Sequence, residues 1–316
     1  MTLNERETAA ALRVLVALAR VDGVLHEAER RAIGTALSAV RLPEDMTLEK
    51  LLAEPVDLQK QLAVLGPSRD ATRVYQAMVG FTYADGECTR EERALLEEVR
   101  IGLGVSAAHA AVATSLANEL ESMPVPAGEL ATSGPEARRR AVERVVRRCA
   151  AVAAALGAHL VPVADLTVSV GMVGLHIRII HDIGGAYGVV ATPEDVRALI
   201  GGLGAGTGTR VALWGLSRVV PGWESVVHER AHFATTYAMG RVAERYYSRR
   251  GRANLDELEE SFADAEREGL TVYNDNWVQI GREISAVKTR LDELALELSK
   301  GTLSAEEYLR QVAALA

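Results

Sequence analysis

Two acidic corners and one histidine pair are the residue patterns in this chain best placed to do chemistry. Asp22-Gly23 is followed by Glu29, and Asp85-Gly86 by Glu92, so in both copies a glutamate falls seven residues after the aspartate. In each copy an apolar helical stretch ends at Asp-Gly. Glycine permits the sharp corner, the aspartate can accept turn amides, and the glutamate lies in the first turn of the next helix. Read as chemistry, two such corners brought together form a carboxylate set suited to Ca²⁺ or Mg²⁺. Read as structure, they are one helix corner repeated by duplication. Calcium-loop spacing, with acids at the first, third and fifth positions, is absent.

The histidine pair is His228-Glu229-Arg230-Ala231-His232. On a helix, histidines four apart share a face and can ligate Zn²⁺, with Glu229 as general base. That would make the chain a zinc metalloprotease. Two things argue against it. Arg230 puts a charge where such enzymes usually have an uncharged residue, and no downstream motif selects a third ligand. Glu244 on the same helix would lie nearly 18 Å from His232 at ~1.5 Å rise per residue. Glu257 could reach only if the chain reverses near Gly251. Zinc is therefore not the expected ion. His26, His109, His159 and His181 are scattered and read as core or surface residues. No Ser/His/Asp or Cys/His constellation emerges, and the expectation leans away from an enzyme.

Two further patterns concern anions. Arg138, Arg139, Arg140, Arg144, Arg147 and Arg148 open a helix that turns apolar at Cys149, and no charge follows until Asp165. This suggests a membrane- or anion-facing arginine cluster, or a solvated face on a buried helix. The uncharged run of 16 residues is shorter than the ~20 a simple span needs. Nucleic acid is not the expected partner, because aromatics are not interleaved with the arginines. The glycine-rich run 201–208 lacks the preceding strand and the Lys-Ser/Thr of a phosphate-binding loop, so it reads as a joint between helices.

The elements that must position these residues are helical almost throughout. The 316 residues are 48% hydrophobic and only 4% aromatic, and 3.6-residue periodicity dominates. Expected helices run over 4–21, 27–40, 69–84, 89–102 and 106–122, then from the arginine cluster onward, over 224–248, and through 282–299 to a final hairpin. Thr89 with Glu92, and Ser304 with Glu307, have capping-box spacing, and Thr192-Pro193 is a helix start. The Pro/Gly-rich stretch 124–135 is the expected linker. The division is thus 1–123, an acidic helical domain; 136–253, a basic helical domain; and 254–316, an acidic helical tail. Acids and bases number 20 and 13 over 1–135, 9 and 16 over 136–253, and 14 and 6 over 254–316. Cys88 and Cys149 make no disulfide framework. With an N-terminus too acidic for a targeting peptide, the expected location is cytoplasmic, peripheral at the inner membrane.

Three resemblances add to this reading. The repeated corner, best in Ala84-Asp85-Gly86-Glu87 with Glu91-Glu92, resembles the bacterial tellurite-resistance TerB-like helical domain over 8–120. That resemblance implies an acidic metal-binding surface with Asp22, Glu29, Asp85 and Glu92 as ligands. The first copy departs from the pattern, with Val21 in place of alanine. The frame Pro162-x-x-Asp165, Tyr187-Gly188, Pro221-Gly222 and Thr236-x-x-x-Gly240 before Tyr246-Tyr247 resembles, over 145–251, a helical domain associated with bacterial Era-like GTPases. It implies a GTPase partner and the inner membrane surface. The tail, Leu291-x-x-Leu294 through Ser304-x-x-Glu307-Tyr308, resembles the short C-terminal SHOCT hairpin and implies oligomerisation or docking. The expected protein is all-α, with two helical domains and a hairpin tail. Its expected role is a non-catalytic adaptor or scaffold, binding a divalent cation and linked to tellurite or envelope stress.

Overall fold

The computed structural model describes residues 3–21, 30, 33–34, 37, 41–44, 46–66, 70–82, 88–107, 110–111, 134–158, 165–192, 195–196, 199–200, 212–213, 216–217, 219–221, 229–249 and 255–316. Among them the fold is all-α with no strand. We number the helices α1 (Glu5–Leu18), α2 (Leu48–Ala53), α3 (Leu58–Leu65), α4 (Ala71–Thr82), α5 (Arg90–Gly102), α6 (Pro135–Gly157), α7 (Asp165–Ala186), α8 (Glu229–Ser248), α9 (Leu255–Asp275), α10 (Trp277–Ser299) and α11 (Ala305–Leu315). By their contacts the chain forms two compact units. One comprises 1–121 with 204–226, the other 122–203 with 227–316.

In the first unit α1 packs against α2, α3, α4 and α5. Its start is fixed by a capping box: the Asn4 side chain accepts from the Glu7 amide at 3.0 Å, and Glu7 accepts from the Asn4 amide at 2.8 Å. From Ala10 to Leu18 it buries Ala10, Ala11, Leu12, Val14, Leu15, Val16 and Leu18. That run is wider than one amphipathic stripe, so α1 is the central helix of its unit. Burying each of the larger aliphatic side chains stabilises by about 1.5–3 kcal/mol. Just beyond α1, the Arg20 guanidinium donates to the carbonyls of Leu52 and Glu54 at the end of α2.

The second unit is built around α6, α7 and α8, each packed on the other two. From Cys149 to Gly157 every residue of α6 is buried. Small residues let the helices approach closely. A Cβ at Gly240 would lie 2.5 Å from Val146 of α6 and 2.8 Å from Ile179 of α7, so only glycine fits where the three meet. The apolar stretch expected as a buried helix or a membrane dip is thus core for its described part, and no described helix is long and apolar enough to cross a membrane. Helix α9 packs on α8, α10 on α6, and α11 on α7. The tail turns at Gly301, whose φ of 70° suits glycine, and α11 starts where the Ser304 hydroxyl accepts from the Glu307 amide. Tyr308, Leu309 and Val312 of α11 are buried in this unit.

Candidate functional site

The acidic corners follow α1 and α4, two helices in mutual contact. Asp22, Glu29 and Asp85 lie outside the described residues, so the structure places only Glu92. Glu92 stands at the start of α5 in the expected capping box. Its Oε2 accepts from the Thr89 amide at 2.8 Å and from the Thr89 hydroxyl at 2.9 Å, while its own amide donates to Thr89 Oγ1 at 3.2 Å. The carboxylate is thereby held at the helix N-terminus, where the helix dipole favours negative charge. Among the described residues no three acids, histidines or cysteines cluster as a metal site.

The six arginines separate into two groups. Arg138 lies with its guanidinium 4.8 Å from the centre of the Tyr187 ring, a cation–π contact. Arg147 pairs with Glu283 of α10 at 3.4 Å, and the Arg148 Nε donates to the Leu315 carbonyl at 3.1 Å. Arg178 of α7 donates to the Ala313 carbonyl, so two guanidiniums satisfy carbonyls at the C-terminal end of α11. Arg147, Arg148 and Arg178 thus dock the acidic tail. Arg139, Arg140 and Arg144 are exposed, with Arg140 only loosely paired to Glu136 at 3.9 Å.

Of the histidine motif, His228 lies outside the described residues. Glu229 accepts from the Tyr273 hydroxyl at 3.3 Å, and His232 is fully buried in α8. Its ring lies directly over the Cα of Gly157 in α6, so close that a Cβ there would meet Cδ2 at 1.9 Å. His232 thus acts as a packing element between α6 and α8.

Two polar networks were not singled out from the sequence. Arg241 of α8 donates to the Tyr237 hydroxyl, to Glu143 at 2.7 Å, to Glu244 at 3.0 Å and to Glu268 of α9 at 3.4 Å. Burial works against its charge, but the Tyr237 hydroxyl and the Glu143 and Glu244 carboxylates more than offset this and hold its pKa above the usual guanidinium range. Deeper in the unit, His176 Nε2 meets the Thr236 hydroxyl at 3.2 Å. Burial alone pushes its pKa down to about 4, so the ring is neutral. Nearby, the Tyr246 hydroxyl donates to Asp195 at 2.9 Å, while Asp195 and Thr192 cap each other as the sequence implied. Burial pushes the Cys149 thiol up to about 12, which makes it an inert core residue. Only the four-residue spacing of Tyr237 and Arg241 carries a local signal of the first network. The His176–Thr236 pair, sixty positions apart, left no local signal.

Residues 6–115 match the profile of the family described as Tellurite resistance protein TerB. No curated protein and no solved structure matches the chain. The matched segment contains both acidic corners. Over those residues the N-terminal part of this all-α protein is therefore similar to the TerB family.

Proposed function

We propose that the chain is a non-catalytic adaptor in bacterial tellurite or envelope stress. In this reading the TerB-like domain binds a divalent cation, Ca²⁺ or Mg²⁺, through Asp22, Glu29, Asp85 and Glu92. The second unit addresses an anionic membrane surface or a GTPase partner at the cytoplasmic membrane face, and the tail supports self-association. The observation that carries the reading is the family match over 6–115, which spans the duplicated Asp-Gly…Glu corners. Glu92, the one corner residue the structure describes, is held at the start of α5 by Thr89. The membrane part rests on Arg139, Arg140 and Arg144, since the other three cluster arginines dock Tyr187 and the tail.

Thermal unfolding of the full chain with and without Ca²⁺ or Mg²⁺ tests the cation claim. A ligand at 100 times its Kd stabilises by about 2.7 kcal/mol if it binds only the native state. The wild type should melt higher with the ion, and Asp85→Asn should abolish the shift. An unchanged melting temperature with either ion would leave the corners as turns and nothing more.

A further inference from the structure

An open cleft of about 440 Å³ lies alongside the packed helices α8 and α9, lined by Tyr187, Arg241, Arg245, Arg249, Ser261 and Asp264 among others. One wall is a ladder of arginines, each four residues after the last, which puts them in a row along one helix face. Both ends of the ladder are bridged by carboxylates. Arg241 reaches Glu268 at 3.4 Å, and Arg249 pairs with Glu257 at 2.7 Å. The middle rung differs. Arg245 is exposed, and among the described residues its guanidinium has no partner. The cleft is also lined by Ser261 and Ala265 of α9, whose small side chains leave it open. Ser261 is only 6% exposed, and among the described residues its hydroxyl makes no hydrogen bond.

The carboxylates around this slot are already engaged. Glu244 is held by Arg241, Glu268 by the Tyr237 hydroxyl at 2.7 Å and by Arg241, and Asp264 by Arg267. What remains open is a planar fork of five N–H donors on Arg245, the free donors of Arg249, and the hydroxyls of Ser261 and Tyr187. Guanidinium forks match tetrahedral and planar oxyanions bidentately. We propose that this slot is a binding site for a phosphate group, gripped by Arg245 with Arg249 and Ser261 in support. The volume admits a small phosphomonoester as readily as inorganic phosphate. An anionic lipid headgroup offers the same chemistry from a second source.

The test is calorimetric titration of the full chain with inorganic phosphate at fixed ionic strength. Saturable binding is expected, and Arg245→Ala should weaken it about tenfold or more, as loss of charge-assisted hydrogen bonds does. Because Arg245 is exposed and unpaired, that variant should melt with the wild type. Arg267→Ala, which frees Asp264 to compete for the slot, should weaken phosphate binding too. Flotation with phosphatidic acid vesicles separates the sources. Recovery that depends on Arg245 assigns the site to a headgroup, whereas recovery indifferent to Arg245 beside Arg245-dependent titration assigns it to a free phosphate compound. Absence of saturable phosphate binding, or equal binding by wild type and Arg245→Ala, would overturn the proposal.

Discussion

Replacing Gly157 by alanine tests whether His232 is a packing element or a metal ligand in waiting. The added methyl would sit 1.9 Å from His232 Cδ2, 2.5 Å from Nε2 and 2.6 Å from Cγ. The imidazole is wholly buried, so it cannot swing into water to make room. Two terms oppose each other. Alanine is a better helix former than glycine by about 1 kcal/mol, while forcing a methylene into a packed core costs about 1–3 kcal/mol. Three overlaps with one ring put the cost at the upper end, for a net loss of about 2 kcal/mol. In a unit of this size that lowers the melting temperature by roughly 4–8 °C. Gly281, inside α10, supplies the control because nothing lies within 4 Å of a Cβ built there. Gly281→Ala should gain the propensity term alone and raise the melting temperature by about 2–4 °C. Far-UV circular dichroism during heating reads both, and a double-mutant cycle with His232→Ala should show that the Gly157 penalty shrinks when the ring is removed. Equal upward shifts for Gly157→Ala and Gly281→Ala would refute the reasoning.

Other outcomes follow from the same geometry. Stability should fall as pH drops from about 6.5 toward about 4, because unfolded His176 takes up a proton that its buried site resists. The unfolded state binds more protons in that window, so acid favours it, and His176→Asn should flatten this limb in a urea-melt pH series. Changing Arg139, Arg140 and Arg144 together to alanine should abolish salt-sensitive flotation with anionic liposomes, since each base near such a surface is worth about 1 kcal/mol. Undiminished recovery would move the membrane contact elsewhere. Glu229→Gln should leave melting and zinc content unchanged, costing at most the weak Tyr273 contact at 3.3 Å. A variant that lost bound zinc would revive the protease reading.

Local signals carried much of the fold. The capping residues Thr89 and Ser304 start helices where their spacing implied, Thr192 and Asp195 bond to each other, and Gly301 ends a helix. Two boundaries differ at helix starts whose first residues are exposed. The arginine helix begins at Pro135 rather than near Arg138, and α10 begins at Trp277 rather than 282. What the sequence could not show was partnership. Arg138, Arg147 and Arg148 look like any solvated cluster until Tyr187, Glu283 and the Leu315 carbonyl are brought beside them, and those contacts span up to 167 positions. His232 was read through its neighbour His228, because a His-x-x-x-His pattern looks the same whether or not a glycine faces one ring. Of the four acidic-corner residues the structure describes Glu92 alone. Its role was legible because capping is local.

The central claim, that the TerB-like part holds a divalent cation on its acidic corners, is tested most directly by metal content. The purified full chain would be equilibrated with Ca²⁺, Mg²⁺ and Zn²⁺ together, passed through a desalting column and assayed by mass spectrometry. Wild-type protein should retain Ca²⁺ or Mg²⁺, and Asp85→Asn with Glu92→Gln should lose it. Stoichiometric zinc in its place, or retention of Ca²⁺ or Mg²⁺ unchanged by those substitutions, would contradict the account.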